Sequence, residues 1–269
     1  MTTEGAGPAG PPLFDIARVL PELVPLTRRT TALRPKRGAP TPYESSLGGP
    51  LLWPGDTPWP VCDRPDHHDW VESPSPGAVP MVPVLQLFAR DVPQLPFPEG
   101  TDVLQLLWCA LLHPDEPSGA VRPVLHWRTE SALVPLVPSG IPGDVPRPAE
   151  GEYEPDFLPV ACTLAPVECV DYPNRDLPEE FVPRVLRAEE EFGFFLTEFG
   201  VLESKAGGYP AWTQPPDWPY CAAGHRMEHL LSVTGDEESR MDMGDAGGVY
   251  LFVCTECPGL PYASRYDCH

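Results

Sequence analysis

The chain has 269 residues, 42% of them apolar, enough to bury one large core or two half-size ones. Eighteen basic residues against thirty-nine acidic ones give a formal charge of −21, which repels nucleic-acid backbones and anionic headgroups and argues against both as direct partners. Forty prolines, roughly three times the usual ~5% share, argue against long helices and for short strands joined by packed, extended loops.

In chain order, residues 1–12 are mostly Gly, Ala and Pro with little to bury and read as a disordered tail. This start has no cationic region followed by an apolar one, and no uncharged apolar run reaches the ~18 residues of a membrane span. A cytoplasmic protein is therefore expected. In a reducing compartment its eight cysteines read as metal ligands or buried thiols before disulfides. Residues 14–26 place Phe14, Ala17, Leu20 and Val24 on one helical face, and Pro21 and Pro25 keep that helix short. Residues 30–46 are extended and proline-punctuated. With Arg28, Arg29, Arg34, Lys36 and Arg37 carrying much of the scarce positive charge, they read as a solvated connector.

A repeat follows. Residues 48–62 read GGPLLWPGDTPWPVC and residues 207–221 read GGYPAWTQPPDWPYC, with the glycine pair, both tryptophans, the Trp-Pro step and the cysteine at identical spacing. Each copy leads into an apolar stretch opened by methionine, 81–87 and 227–233, and then a strand-like run ending in cysteine, 103–109 and 249–254. Strands are further predicted over 79–88, 103–111, 121–129, 133–137 and within 160–172. Residues 177–199 form the one convincing helix, with Pro178, Glu179 and Glu180 at its start and Phe181, Val185, Ala188, Phe192, Phe195 and Leu196 as its apolar face. The expected fold is α+β, mainly antiparallel β, internally duplicated with few short helices. Its halves cover 13–137 and 156–269, joined by a Pro, Gly and Glu-rich linker over 138–155 into one compact unit.

The chemistry lies in two Cys/His constellations. In the second half, Cys221 and His225 are separated by three residues, and Cys254 and Cys257 return in CTECPG, the layout of a zinc ribbon built from two short knuckles. Gly224 sits where a second cysteine of the first knuckle would be expected. The first half repeats the layout with Cys62 and His67 or His68 on one side and Cys109 and His113 on the other. Zn²⁺ takes four soft or borderline donors, and Cys₃His and Cys₂His₂ both supply them. Two zinc sites are expected.

The remaining candidates read as structure. Cys268 and His269 form a frayed end, Cys162 and Cys169 buried strand thiols, and Asp242 and Asp245 a hairpin turn. Trp53, Trp59, Trp212 and Trp218 read as loops packed on a sheet before ligand-stacking platforms. No Ser-His-Asp order, G-x-S-x-G elbow, Walker loop, dinucleotide fingerprint or H-E-x-x-H helix is present.

The motifs SLGGPLLWP with WPVC, PMVPVLQLFARDVPQLPFPEGTDVLQLLWC, KAGGYPAWTQ and DAGGVYLFVCTECPG span residues 48–259, and with them the chain resembles the YwqG-like family, a bacterial domain family of unknown function. The resemblance implies a mainly β, α+β fold and a soluble bacterial protein, and it brings no activity. A looser likeness in layout, glycine pair, Pro and Trp followed by cysteine knuckles, links the chain to the eukaryotic programmed cell death two family, without a role to carry over. The functional expectation is a zinc-stabilised cytoplasmic binding module for a protein or peptide partner, without catalytic activity. Two alternatives stand beside it. One is a metal-dependent hydrolase at the first site with Asp63, Asp66 or Asp115 as its carboxylate, the other a thiol redox protein acting through Cys254 and Cys257.

Overall fold

A computed structural model describes residues 15–69, 77–114, 120–135, 148–173 and 175–269. The predicted tail over 1–12, Phe14 of the first predicted helix and residues 138–147 of the predicted linker lie outside the described residues. The architecture is mainly antiparallel β with few short helices, as the sequence suggests.

Two six-stranded antiparallel sheets dominate. In chain order their strands are β1 (Arg28–Ala32), β2 (Pro35–Arg37), β3 (Ser46–Leu47), β4 (Val82–Phe88), β5 (Val103–Cys109), β6 (Arg122–Arg128), β7 (Cys162–Leu164), β8 (Val167–Asp171), β9 (Lys205–Gly207), β10 (Glu228–Thr234), β11 (Gly248–Val253) and β12 (Tyr262–Asp267). One sheet runs β2-β7-β3-β4-β5-β6 and the other β8-β1-β9-β10-β11-β12. Five strands of the first order have their counterparts six places later in the chain, and β7 has its counterpart in β1, six places earlier. The match extends to register: β4 and β10 each carry a bulge two residues in, between Pro83 and Leu85 and between His229 and Leu231.

The exceptions to a simple division are β1 and β7, which sit in each other's sheets. β1 pairs with β8 and β9 of the later sequence, and β7 is inserted between β2 and β3 of the earlier sequence. The chain crosses between sheets at Leu33-Arg34, where Arg34 has φ 46, and again at Ala165-Pro166. Neither sheet is complete without a strand from the other half. The reading of 30–46 as a solvated connector is therefore corrected: Thr30, Ala32 and Leu33 are fully buried and the stretch forms β1 and β2. Scattered charge on a three-residue edge strand masked its pairing role.

The central strands alternate between two apolar faces. From β5, Leu104, Leu106 and Trp108 enter one large core together with Val249, Leu251 and Val253 from β11. The opposite face of β5 gives Leu107 and Cys109 to a smaller cluster with Trp53 and Met81, and that of β11 gives Tyr250, Phe252 and Cys254 to another with Trp212 and Met227. Burial on both faces explains why these strands read as unbroken apolar runs. The Trp-containing loops of the repeat cover the outer faces. Trp53 and Trp212 are each 3% exposed, packed beside Trp59 and Trp218 at ring separations of 4.8 and 6.1 Å.

The helices pack in a separate cluster. α1 (Ile16–Val19) is capped by Asp15, whose carboxylate accepts the amide of Ala17, and runs into a 3₁₀ segment over Pro21–Leu26. The tighter period buries Ile16, Leu20 and Leu23 and leaves Val24 exposed, so the predicted 3.6-residue face is corrected at Val24. α2 (Val182–Phe192) ends at Gly193 in the left-handed conformation. That turn brings Phe194 inside and leaves Phe192 and Phe195 exposed, against the predicted face, whereas Val185, Ala188 and Leu196 are buried as expected. No helix among the described residues is long and apolar enough to cross a membrane.

Candidate metal centres

Each outer-face cluster carries one Cys/His quartet. Cys62, His67, Cys109 and His113 form the first, and Cys221, His225, Cys254 and Cys257 the second; within each, one ligand atom per residue lies within 4.8 Å of all the others. The eight predicted residues are thus brought together as two separate groups. All eight cysteines of the chain are free thiols.

In the first quartet, a short ladder of 61–62 with 79–80 delivers Cys62, and Cys109 is the last residue of β5. His68 exchanges backbone hydrogen bonds with Leu112, at 3.1 and 2.9 Å, and turns its ring toward the carbonyl of Asp69. Its neighbour His67 consequently faces the opposite side, 1% exposed, with Nδ1 3.8 Å from Cys109 Sγ. Sequence left His67 and His68 equivalent; the Leu112 bridge separates them. His113 donates from Nδ1 to the carbonyl of Ala120 at 3.2 Å, which fixes the tautomer and leaves Nε2 free to face Cys62 Sγ at 3.4 Å. Arg122, opposite Cys109 across β5 and β6, brings its guanidinium within 3.9 Å of Cys62 Sγ.

The two thiols of this group shift in opposite directions. Hydrogen bonding from Cys109 draws the Cys62 pKa far down against the opposing effect of burial, and the same bond, reinforced by burial, drives the Cys109 pKa up. Two buried sulfurs competing for one proton are an arrangement that a divalent cation relieves, because both can then be thiolates.

In the second quartet, Cys221 and His225 lie on a knuckle closed by Cys221 N–H to His225 O at 2.9 Å and Gly224 N–H to Cys221 O at 2.8 Å. Gly224 has φ +83 and nothing near its Cβ direction, so backbone conformation, not space, requires glycine where a cysteine was looked for. The other knuckle follows β11. Cys254 N–H donates to Pro261 O, and Gly259 at φ 77 turns the chain back after Cys257. Cys221 and Cys257 sulfurs are 3.8 Å apart, and His225 Nδ1 lies 3.6 Å from Cys254 Sγ and 3.4 Å from Cys257 Sγ. The far nitrogen, His225 Nε2, lies 3.9 Å from Glu256 Oε2, beyond hydrogen-bond distance. Burial raises the Cys221 pKa, but the amides of His225 and Ala223 and the neighbouring thiols outweigh it and hold it at about 7. Cys257 is pushed up to about 11 by its hydrogen bond to Cys254 and then by burial.

The spacings match a tetrahedron. Zn–S bonds of about 2.3 Å and Zn–N bonds of about 2.0–2.1 Å imply edges of about 3.8 Å between two sulfurs and about 3.5 Å between sulfur and nitrogen. The observed 3.8 Å sulfur pair and the sulfur–nitrogen distances of 3.4, 3.6, 3.4 and 3.8 Å fall on those edges. A disulfide at 3.8 Å is excluded, since its bond is about 2.05 Å. Donor chemistry and geometry both suit a metal ion such as zinc.

The other predicted residues stand apart. Asp63 is exposed, Asp66 is held by Arg64 at 3.0 and 3.2 Å, and Asp115 lies outside the described residues. Cys162 is buried as expected, whereas Cys169 is only half-buried, a correction due to its place on edge strand β8. Cys268 belongs to neither quartet, and Asp242 caps a turn by accepting the amide of Gly244. Sequence reasoning missed Arg122, Glu256 and the carbonyl of Ala120. Only Glu256, inside the CTEC knuckle, carried a signal.

Comparison of the chain with models of protein families and with curated proteins finds no match in either.

Proposed function

We propose that the protein is a cytoplasmic, YwqG-like interaction module whose two quartets each hold a structural zinc ion. The observation that carries this is the closed four-donor geometry at both sites. Two sulfurs and two nitrogens, or three sulfurs and one nitrogen, lie within 4.8 Å of one another, the four-donor complement that a structural zinc takes. The location supports the same reading: each quartet ties a loop of the repeat to the end of a central strand, so the metal fastens the outer cover of a sheet.

The alternatives are less well supported. A hydrolytic zinc needs an open coordination position, and the first quartet fills all four. A reactive thiol needs a depressed pKa and access, whereas Cys254 is 1% exposed and Cys257 is shifted upward. Eight free thiols fit a reducing compartment.

Native mass spectrometry tests the reading. The expected mass includes two zinc ions, with Cys62→Ser removing one and Cys254→Ser the other, and chelation lowering the unfolding temperature. A metal-free native chain, or one whose thermal unfolding is indifferent to chelators, overturns it.

A further inference from the structure

The two halves act as internal controls for each other at one place where they differ. In the first half, the chain before β7 folds across the end of β5. Glu154 N–H donates to Ala110 O at 2.7 Å, Trp108 Nε1 donates to Phe157 O at 2.8 Å, and Phe157 is fully buried. Register places Val253 and Thr255 at the positions of Trp108 and Ala110, and Arg28 and Arg29 at those of Pro159 and Val160. The glycine pair agrees: a Cβ on Gly48 would strike the carbonyl of Val160, and one on Gly207 would approach that of Arg29.

In the second half the equivalent upstream segment is α1 and its 3₁₀ extension, which leave to pack on α2. The space that Glu154–Phe157 fills in one half is therefore an open cleft in the other, about 360 Å³, within the range of ligand pockets. Its lining has changed character. Where the first half has Pro159, Val160, Val82 and Pro83, the second has Arg28, Arg29, Glu228 and His229, while Leu95, Pro96 and Val253 keep an apolar wall.

Arg28 is held in place, stacked 4.4 Å over Tyr209 and paired with Glu228 at 3.0 Å. Arg29 stands at the mouth, 76% exposed, paired with Glu168 at 3.2 Å. His229 is locked by Gly207 O and Ser232 Oγ and shapes the wall. Successive residues of β1 project to opposite faces, and each guanidinium already holds a carboxylate, Glu228 on Arg28 and Glu168 on Arg29, so the group that each accepts is a carboxylate.

We infer that this cleft binds an extended peptide segment of a partner protein, its acidic side chains exchanging for Glu228 on Arg28 and for Glu168 on Arg29 and a following apolar side chain lying on Leu95, Pro96 and Val253. The first half shows the mode, because its own filler is acidic and apolar, reading Glu154-Pro155-Asp156-Phe157. The inference rests on the interaction-module reading and is independent of the metal.

A fluorescent peptide of residues 152–158, EYEPDFL, which stops short of the two positions that Arg28 and Arg29 occupy, serves as the probe against the full chain, with anisotropy as the readout. Saturable binding is expected, weakened at least about fivefold by Arg29→Ala and about tenfold or more by Arg28→Ala, as for loss of a charge-assisted contact. Replacing Glu154 and Asp156 by Gln and Asn in the peptide, or Phe157→Ala in the peptide, should each abolish saturation. Absence of binding at millimolar peptide, or unchanged binding to both arginine variants, overturns the inference. So does retention of binding by the Phe157→Ala peptide together with competition by citrate, which would mark an anion site only. Zinc content read on the same samples separates the two proposals: two zinc ions without peptide binding removes the cleft alone, and peptide binding without zinc removes the metal reading alone.

Discussion

The first quartet is Cys₂His₂ with all four residues buried, whereas the second is Cys₃His with His225 and Cys257 half-exposed. Charge accounts for the difference. Two thiolates neutralise a divalent cation, so the first site can sit in an apolar cluster without an uncompensated charge. Three thiolates leave one negative charge, which needs water or a cation nearby and keeps the second site at the surface. Two copies of one layout thus reach different depths because they differ by one ligand, His113 in the place of Cys257.

Removing a ligand should break this parallel most. Cys109→Ser leaves Cys62, His67 and His113 buried without a shared metal, and a loss of more than about 4 kcal/mol in urea unfolding is expected. Cys257→Ser leaves a half-exposed site that water can complete, with a loss of about 2 kcal/mol. Equal losses at the two sites would refute the dependence on burial.

The glycine pairs offer a second contrast. Ser46 stands where Lys205 stands in the other half, and among the described residues the fully buried ion pair belongs to the second half. Asp171, 1% exposed, accepts Lys205 Nζ at 2.6 Å and the amides of Tyr172, Val201 and Tyr209 at 3.1, 2.9 and 2.9 Å. Asp171→Ala strips all of these and leaves the Lys205 charge buried, so a loss of about 3–5 kcal/mol is expected from equilibrium unfolding. A loss below about 1 kcal/mol would show that Lys205 reaches solvent.

The quartets were legible because ligand residues repeat at similar spacings and because strand-ending cysteines survive any error in strand boundaries. The exchange of β1 and β7 was not legible. Arg28–Ala32 and Cys162–Leu164 are five and three residues long, too short for periodicity to register, and their pairing is decided by partners more than a hundred residues away in sequence. The buried Lys205 left a trace as one of only two lysines, yet nothing local distinguishes it from a solvated one. The cleft beside it is invisible for a further reason: it exists because a segment present in one half is routed elsewhere in the other.

The smallest expected effect compares His126 with Arg265, which occupies the same register position of the other sheet. Arg265 lies against Asp217, whereas His126 packs edge-on to Trp53 at 5.3 Å with no partner for Nε2 among the described residues. Burial, with repulsion from Arg128, lowers the His126 pKa from 6.5 to about 4. The unfolded chain therefore binds this proton first as pH falls. The contribution to stability is whole above about pH 6.5 and is lost progressively as pH drops through about 4, amounting to about 2 kcal/mol once partial exposure is allowed for. His126→Gln should flatten that part of the pH dependence relative to the parent chain, measured as unfolding free energy at pH 7 and pH 5 with zinc content checked at both. Because any metal held by the quartets would also be lost as their thiolates protonate, only the difference between variant and parent reports on His126. An unchanged difference across the two pH values would mean that the imidazole is already solvated in the native state.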